Sequence, residues 1–224
     1  MSERLTVGVV DDEADVRDAY RAFFSRRPEF GFVGEAADGQ AGVEMYREQR
    51  PDVLLMDLKM PIMSGVDAIA AICAVDPAAC TIALTTFGTR DYIVAALRAG
   101  ASGYLMKDCG AEALTKALHD ARAGEMPLSP SVRLALVDCV RADQPPAVPQ
   151  IDPVTPRESE LLGWLAQGLG NQQIAQRMFL SEGSVKQYLN HIADKLGVRS
   201  RTQILVKSLQ MRIVDLDSLP RIEQ

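Results

Sequence analysis

The sequence lacks any hydrophobic run long enough to cross a bilayer. A membrane-spanning helix needs ~20 consecutive apolar residues, whereas the apolar runs here are short stretches such as Val53–Met56. The Met-Ser-Glu-Arg start leads into a short apolar run, with no extended hydrophobic region or cleavage site of a secretory signal. We therefore expect no membrane association and a cytoplasmic protein.

Cysteine is also scarce, and its spacing excludes the usual metal motifs. The chain has no CxxC pair and no His/Cys pattern with the spacing of zinc ligands. We interpret the cysteines as small buried hydrophobic residues in a reduced cytosol; they are Cys73, Cys80, Cys109 and Cys139.

Composition and charge indicate a globular chain of two parts. Of the 224 residues, 47% are hydrophobic and 24% are charged, which excludes collagenous and wholly disordered chains. The net charge is −6 over residues 1–124 but +5 over residues 171–212. Two domains with different partners explain this division, although chance scatter of solvated charges is the alternative.

The N-terminal part alternates between short β-branched runs and helical patterns. Alternation of this kind predicts an α/β domain with a doubly wound, five-stranded parallel sheet and helices on both faces. Functional groups in such sheets gather at the carboxyl ends of the strands. The predicted strands are Leu5–Val10, Phe32–Ala36, Val53–Met56, Thr81–Thr85 and Tyr104–Met106; the predicted helices are Ala14–Arg26, Gly39–Gln49, Val66–Val75, Asp91–Ala99 and Ala111–Ala123.

A proline-rich stretch separates this domain from a small all-α domain. We predict an α/β domain over 1–124, a linker over 125–153 with one short helix at Ser131–Arg141, and a helical domain over 154–224. Capping boxes at Thr155–Glu158 and Ser200–Gln203 begin two of its helices. Four helices in under sixty residues, with a glycine-punctuated turn, indicate a helix-turn-helix.

Carboxylates collect where the predicted sheet has its switch point. Asp11 and Asp12 follow the first strand and Asp57 follows the third, so the three side chains should converge. Mutually repelling carboxylates favour a hard cation, hence Mg²⁺. Thr85 and Lys107 end the fourth and fifth strands, and the whole set suits phosphoryl transfer onto a carboxylate.

Residues 1–124 resemble the CheY-like receiver domain of two-component response regulators. The resemblance rests on VVDDE (Val9–Glu13), LLMDLKMP (Leu54–Pro61), LTT (Leu84–Thr86) and GASGYLMKD (Gly100–Asp108). It implies a flavodoxin-like fold in which Asp57 accepts the phosphoryl group. It also implies that Asp12, Asp57 and the backbone carbonyl of Lys59 are Mg²⁺ ligands, with Asp11 acting through water. Three further residues would bind the phosphoryl group or act in switching: Thr85, Tyr104 and Lys107.

The segment Thr155–Leu205 resembles the LuxR-type DNA-binding domain of the NarL/FixJ class. On the predicted helix Glu182–Leu196, an apolar stripe leaves a polar face for the major groove. The resemblance implies that Lys186, Gln187 and Asn190 face base edges. Four further residues are predicted phosphate contacts: Ser181, Ser184, Arg199 and Asn171, although for Asn171 we favour a role as helix N-cap.

Together these patterns predict a cytoplasmic transcriptional regulator that is not a conventional enzyme. A sensor histidine kinase, or a small phosphodonor, would phosphorylate Asp57 and thereby switch homodimerisation and binding to a double-stranded operator. One alternative is a regulator that acts independently of phosphorylation. Another is a Mg²⁺-dependent phosphatase with an aspartyl nucleophile, although Asp57-Leu58-Lys59 lacks a second carboxylate two residues on.

Overall fold

The computed structural model describes residues 4–86, 90–128, 154–211 and 213–214. The predicted helix Ser131–Arg141 and most of the proline-rich linker lie outside these ranges. Among the described residues, no helix is both long and apolar enough to span a membrane.

The N-terminal domain contains the predicted parallel sheet with the strand order β2-β1-β3-β4-β5. Its strands are β1 Leu5–Val10, β2 Phe30–Ala36, β3 Val53–Asp57, β4 Thr81–Thr85 and β5 Gly103–Met106. Its helices are α1 Ala14–Ser25, α2 Gly39–Gln49, α3 Gly65–Val75, α4 Arg90–Ala99 and α5 Ala111–Arg122. The sequence prediction is therefore confirmed in element order, with shifts of one or two residues at several ends.

One of these shifts matters for the site. We predicted that Asp57 follows the third strand, but Asp57 is its last residue and pairs in register with Leu84 of β4. The preceding residue, Met56, pairs with both β1 and β4, so the backbone that leads to Asp57 is held within the sheet. The carboxylate therefore projects from a fixed strand end rather than from a loop.

Alternate residues of the central strands face two separate apolar layers. Val9 and Leu55 belong to the layer beneath α1 and α5, whereas Val10, Leu54 and Met56 belong to the layer beneath α2, α3 and α4. Period-two alternation with apolar residues on both faces is what a parallel sheet covered on both sides requires.

The C-terminal domain is helical, as predicted. It contains α6 Pro156–Ala166, α7 Asn171–Met178, α8 Glu182–Leu196 and α9 Arg201–Gln210. Thr155 and Ser200 form complete capping boxes with Glu158 and Gln203. The last helix also packs against α4 of the N-terminal domain, so the two domains are in contact.

A buried ion pair joins α6 to α8 inside the C-terminal domain. The Glu158 side chain is 2% exposed, and its carboxylate accepts from Lys195 Nζ at 2.8 Å and from the backbone N–H of Thr155 at 2.7 Å. Burial raises the pKa of Glu158, but the hydrogen bonds of Lys195 and Thr155 outweigh burial and leave this pKa below its usual range.

Glu158→Gln is expected to destabilise the C-terminal domain by about 3 kcal/mol, because it replaces a buried carboxylate with a neutral group in its pair with the Lys195 ammonium. Thermal unfolding followed by the fluorescence of Trp164, the single tryptophan, measures this loss. Glu160→Gln, which alters an exposed pair with Arg157, is the control and should cost under about 0.5 kcal/mol. Equal melting temperatures for the two variants would contradict the prediction.

Acidification should remove the stabilising contribution of the same ion pair. Because the native pKa of Glu158 is depressed, its stabilising contribution is present above its ordinary value of 4.5 and is lost as the pH falls through the native pKa. The stability difference between the wild type and Glu158→Gln should therefore shrink in acid.

Candidate functional site

Three carboxylates converge at the carboxyl end of the sheet. Asp11 and Asp12 follow β1 and Asp57 ends β3, and these two strands are neighbours. One carboxylate oxygen of each residue lies within 4.8 Å of the others. Asp11 and Asp57 are buried whereas Asp12 is exposed, so the cluster opens to solvent on the Asp12 side.

Lys107, just after β5, supplies the positive charge of the cluster. Its Nζ lies 2.8 Å from Asp11 Oδ2 and 3.4 Å from Asp57 Oδ2. Glu13 approaches the same ammonium at 3.5 Å. One ammonium among several carboxylates leaves the cluster with excess negative charge.

Burial and charge shift the pKa values of the two central groups. Burial raises the pKa of Asp57, and the Lys107 ammonium opposes that shift only in part. Burial lowers the pKa of Lys107, but the hydrogen bond of Asp11 and the charges of Asp57 and Asp11 outweigh it, so this pKa is raised. Lys107 is therefore held as a cation beside a carboxylate that is costly to ionise.

The donor set suits a hard divalent cation. Carboxylate oxygens on three residues, within reach of one another and partly open to water, match the preference of Mg²⁺ for oxygen ligands with retained waters. A cation there would also offset the repulsion that raises the pKa of Asp57.

The predicted switch residues lie beside this cluster. Thr85 is buried at the end of β4, and Tyr104 is fully buried in β5. Burial raises the pKa of Tyr104, and an interaction with the Thr85 side chain partly opposes that shift. The two side chains thus lie close together, and the charge of Asp57 also acts on Tyr104.

Two basic residues close in sequence to the cluster make different contacts. Arg17 was not identified from the sequence; its Nη1 donates to the backbone carbonyls of Asp11 at 2.7 Å and Asp12 at 3.1 Å. The contact is local, because Arg17 lies in the first turn of α1 and its side chain extends back to the residues that follow β1. Lys59 is exposed, with its ammonium 5.0 Å from the ring centroid of Tyr92.

The second candidate surface is the outward face of α8. Val185, Leu189, Ile192 and Leu196 form the buried stripe, as predicted. The opposite face carries the proposed base-reading residues, and all three are exposed in the presence of the N-terminal domain: Lys186, Gln187 and Asn190.

The four predicted phosphate contacts occupy different environments. Ser181 is exposed and caps α8 by accepting from the Ser184 N–H at 3.0 Å, while Arg199 is exposed just before α9. Asn171 is instead buried, with its side-chain oxygen bound by Arg201. The N-cap role that we favoured for Asn171 is wrong: the helix begins at Asn171 and Gly170 is its N-cap.

Comparisons with known proteins match both parts of the chain. The model for the response regulator receiver domain matches residues 7–119, which is half of the chain. The model for bacterial regulatory proteins of the luxR family matches residues 152–208. The chain is a response regulator of the NarL/FixJ class.

Full-length relatives share this architecture. The nitrate/nitrite response regulator NarL of Escherichia coli is 35% identical over 94% of this chain and 98% of its own length. DevR/DosR of Mycobacterium tuberculosis, a DNA-binding transcriptional activator, is 34% identical over 92% of this chain and 94% of its own. The crystal structure of the response regulator ChrA, at 34% identity, aligns with a TM-score of 0.52 over 94% of this chain and 99% of that one.

This response regulator therefore belongs to a family of phosphorylation-dependent, DNA-binding transcriptional regulators.

The described cysteines form no disulfide among themselves. Cys73, Cys80 and Cys109 are free and partly rather than fully buried. Burial raises the pKa of the Cys80 thiol to about 11, which makes it a poor nucleophile. Cys139 lies outside the described residues.

Proposed function

We propose that Asp57 is the phosphoacceptor and that a sensor histidine kinase, or a small phosphodonor, supplies the phosphoryl group. The observation that carries this proposal is the Lys107 ammonium, 3.4 Å from Asp57 Oδ2 and 2.8 Å from Asp11. A carboxylate oxygen of Asp57 attacks phosphorus, the donor's nitrogen or oxygen leaves, and an acyl phosphate remains. Lys107 then pairs with an oxygen of the transferred group.

The acidic cluster is the proposed Mg²⁺ site. Asp12, Asp57 and the backbone carbonyl of Lys59 would ligate the ion directly, and Asp11 would act through water. When bound, the ion neutralises negative charge on the transferring oxygens. Beyond its own phosphoryl transfer and slow dephosphorylation, we propose no enzymatic activity for the chain.

Phosphorylation is proposed to reposition Thr85 and Tyr104. A phosphoryl group on Asp57 offers new acceptor oxygens that draw the Thr85 hydroxyl toward it, and the adjacent Tyr104 follows. The face that includes α4 and β5 then changes, and this is the face that contacts α9. A local electrostatic event thus biases the contact between the domains.

The output of this change is binding to a double-stranded operator in the cytoplasm. Lys186, Gln187 and Asn190 are proposed to read base edges, as lysine can donate to guanine and Gln or Asn to adenine. Because these residues are exposed beside the N-terminal domain, we propose that resting inhibition acts through α9 and α7 rather than by covering α8. The isolated C-terminal domain should consequently bind the operator more tightly than the unphosphorylated full-length protein, because its α7 and α9 are then free of the N-terminal domain.

Homodimerisation is proposed as part of activation. A solved structure of two RcsB dimers bound to two parallel DNAs is similar to this chain, with 25% sequence identity and a TM-score of 0.55. In this chain, α9 carries apolar residues on more than one side and is engaged by α4. Release from α4 would free that helix for a second copy.

The test is intact mass after incubation with Mg²⁺ and a small phosphodonor, followed by sedimentation of the same sample. We expect one added phosphoryl group and a shift from monomer to dimer. No adduct, together with no change in sedimentation on adding beryllofluoride, would instead favour the regulator that acts independently of phosphorylation. Sustained turnover of a generic phosphate ester would favour the phosphatase.

A further inference from the structure

A carboxylate at the start of the linker, just after the receiver, contacts the DNA-binding domain. Glu125, just after α5, accepts a hydrogen bond through Oε1 from the backbone N–H of Asn171 at 2.7 Å. Its Oε2 lies 3.8 Å from Arg201 Nη2. Asn171 is the first residue of α7 and Arg201 the first of α9, so one side chain contacts the start of two helices.

The receiving position is shaped for an anion. A Cβ on Gly170 would lie 2.8 Å from Glu125 Oε2 and 3.0 Å from its Cδ, so the carboxylate packs directly against the Gly170 backbone. The Arg201 side chain is 10% exposed and is oriented by the Asn171 side-chain oxygen and by the Leu169 carbonyl, the latter at 2.6 Å. A fixed guanidinium and an N-terminal helix N–H thus converge on one point.

A DNA phosphate fits the same chemistry. Phosphate and carboxylate oxygens both accept from guanidinium groups and from helix N-termini. In helix-turn-helix proteins the first helix of the motif, here α7, crosses the DNA backbone. Glu125 therefore occupies a position that a backbone phosphate can take once the domains separate.

The segment that carries Glu125 is attached to the switch strand. The Tyr104 N–H donates to the Pro127 carbonyl at 2.9 Å, and Tyr104 forms a parallel bridge with Leu128. A Cβ on Gly103 would lie 2.5 Å from Pro127 Cγ. Because β5 and residues 125–128 are in such close contact, displacement of Tyr104 acts directly on the backbone two residues from Glu125.

We propose that Glu125 is an intramolecular latch that occupies a DNA-phosphate subsite formed by Gly170, Asn171 and Arg201. The inference rests on the proposed function, since movement of Tyr104 upon phosphorylation of Asp57 is what withdraws the latch. While the latch is closed, the Glu125 carboxylate competes with DNA for the subsite. When it opens, the subsite adds one phosphate contact and the domains separate.

The test measures binding of the full-length, unphosphorylated protein to a fluorescent duplex of mixed sequence, by anisotropy at low salt. Glu125→Ala is expected to bind about tenfold more tightly than the wild type. Glu48→Ala, which removes the same charge from an exposed position of α2, is the matched control and should change affinity less than about twofold. Equal affinities for these two variants would overturn the latch.

A charge-neutral variant examines the same contact from the other side. Gly170→Ala crowds the Glu125 carboxylate, so it should weaken the contact and increase the radius of gyration in solution scattering, although by less than Glu125→Ala does. It should bind the duplex less tightly than Glu125→Ala, because the new methyl group also obstructs a phosphate. Scattering curves identical to the wild type for both variants would overturn the latch independently of DNA binding.

The phosphodonor separates this proposal from the one on which it rests. If the donor tightens DNA binding by the wild type but unphosphorylated Glu125→Ala behaves as the wild type does, the latch is wrong and the proposed function stands. If Glu125→Ala binds tightly but the donor has no effect on the wild type, the latch stands and phosphorylation is not its control.

Discussion

Asp57→Asn is expected to abolish phosphoryl uptake from a small phosphodonor, leaving no adduct in the intact mass. A carboxamide has no anionic oxygen with which to attack phosphorus. Asp108→Asn, an exposed change in the same domain, should gain one phosphoryl group as the wild type does. An adduct of equal abundance on Asp57→Asn would show that another residue is the acceptor.

The same substitution should make the Mg²⁺-free protein more stable at neutral pH. Burial and the Asp11 charge raise the pKa of Asp57, so the folded state resists ionisation of this group and neutralising it removes that cost. Because the native pKa is raised, protonation in acid relieves the wild type as well, and the difference should close as the pH falls through the native pKa. Thermal unfolding across pH measures both trends.

Added Mg²⁺ should reverse the order of stability. At ten times its dissociation constant, a bound ion stabilises the wild type by about 1.4 kcal/mol, whereas Asp57→Asn loses a carboxylate ligand and should gain less. If Mg²⁺ raised both melting temperatures equally, Asp57 would not be a ligand.

Gly65→Ala is expected to slow phosphorylation of Asp57 about 100-fold, the cost of a displacement near 1 Å at a reacting group. Gly65 begins α3, and its N–H donates to the Leu58 carbonyl at 3.1 Å. A Cβ there would lie 1.9 Å from the Asp57 carbonyl oxygen and 2.8 Å from Leu58 Cα. Both neighbours are backbone, so the methyl group must displace the strand end that carries Asp57, the proposed phosphoacceptor.

The rate of adduct formation by intact mass, with circular dichroism to verify folding, measures this effect. Overpacking should also cost about 1–3 kcal/mol of stability. Gly31→Ala, where a Cβ would meet only Thr6 Cγ2 at 3.6 Å, is the control and should be phosphorylated at the wild-type rate. A wild-type rate for Gly65→Ala would mean that the contact yields without moving Asp57.

The outward face of α8 was predictable because a helix repeats every 3.6 residues. Val185, Leu189, Ile192 and Leu196 fall on one stripe, so the positions of Lys186, Gln187 and Asn190 opposite that stripe follow from local sequence. Asp11, Asp12, Asp57 and Lys107 were predictable as a group for a similar reason, since parallel strands end at one edge of the sheet.

Residues that act across long sequence separations were not predictable. Arg201 has no distinguishing local pattern, and its partner Leu169 is known only once the helices are packed. Asn171 shows the same limit: its spacing suggested a cap or a phosphate contact, whereas tertiary packing buries it against Arg201 and Glu125.

The sequence by itself therefore determined the two domains, the sheet, the acidic cluster and the exposed polar face of α8, because each depends on local periodicity and strand-end chemistry. The tertiary structure decided which charges meet. It placed Lys107 between Asp11 and Asp57, paired buried Glu158 with Lys195, and set Glu125 against the start of α7. Such contacts depend on distances between distant segments, and periodicity carries no information about those distances.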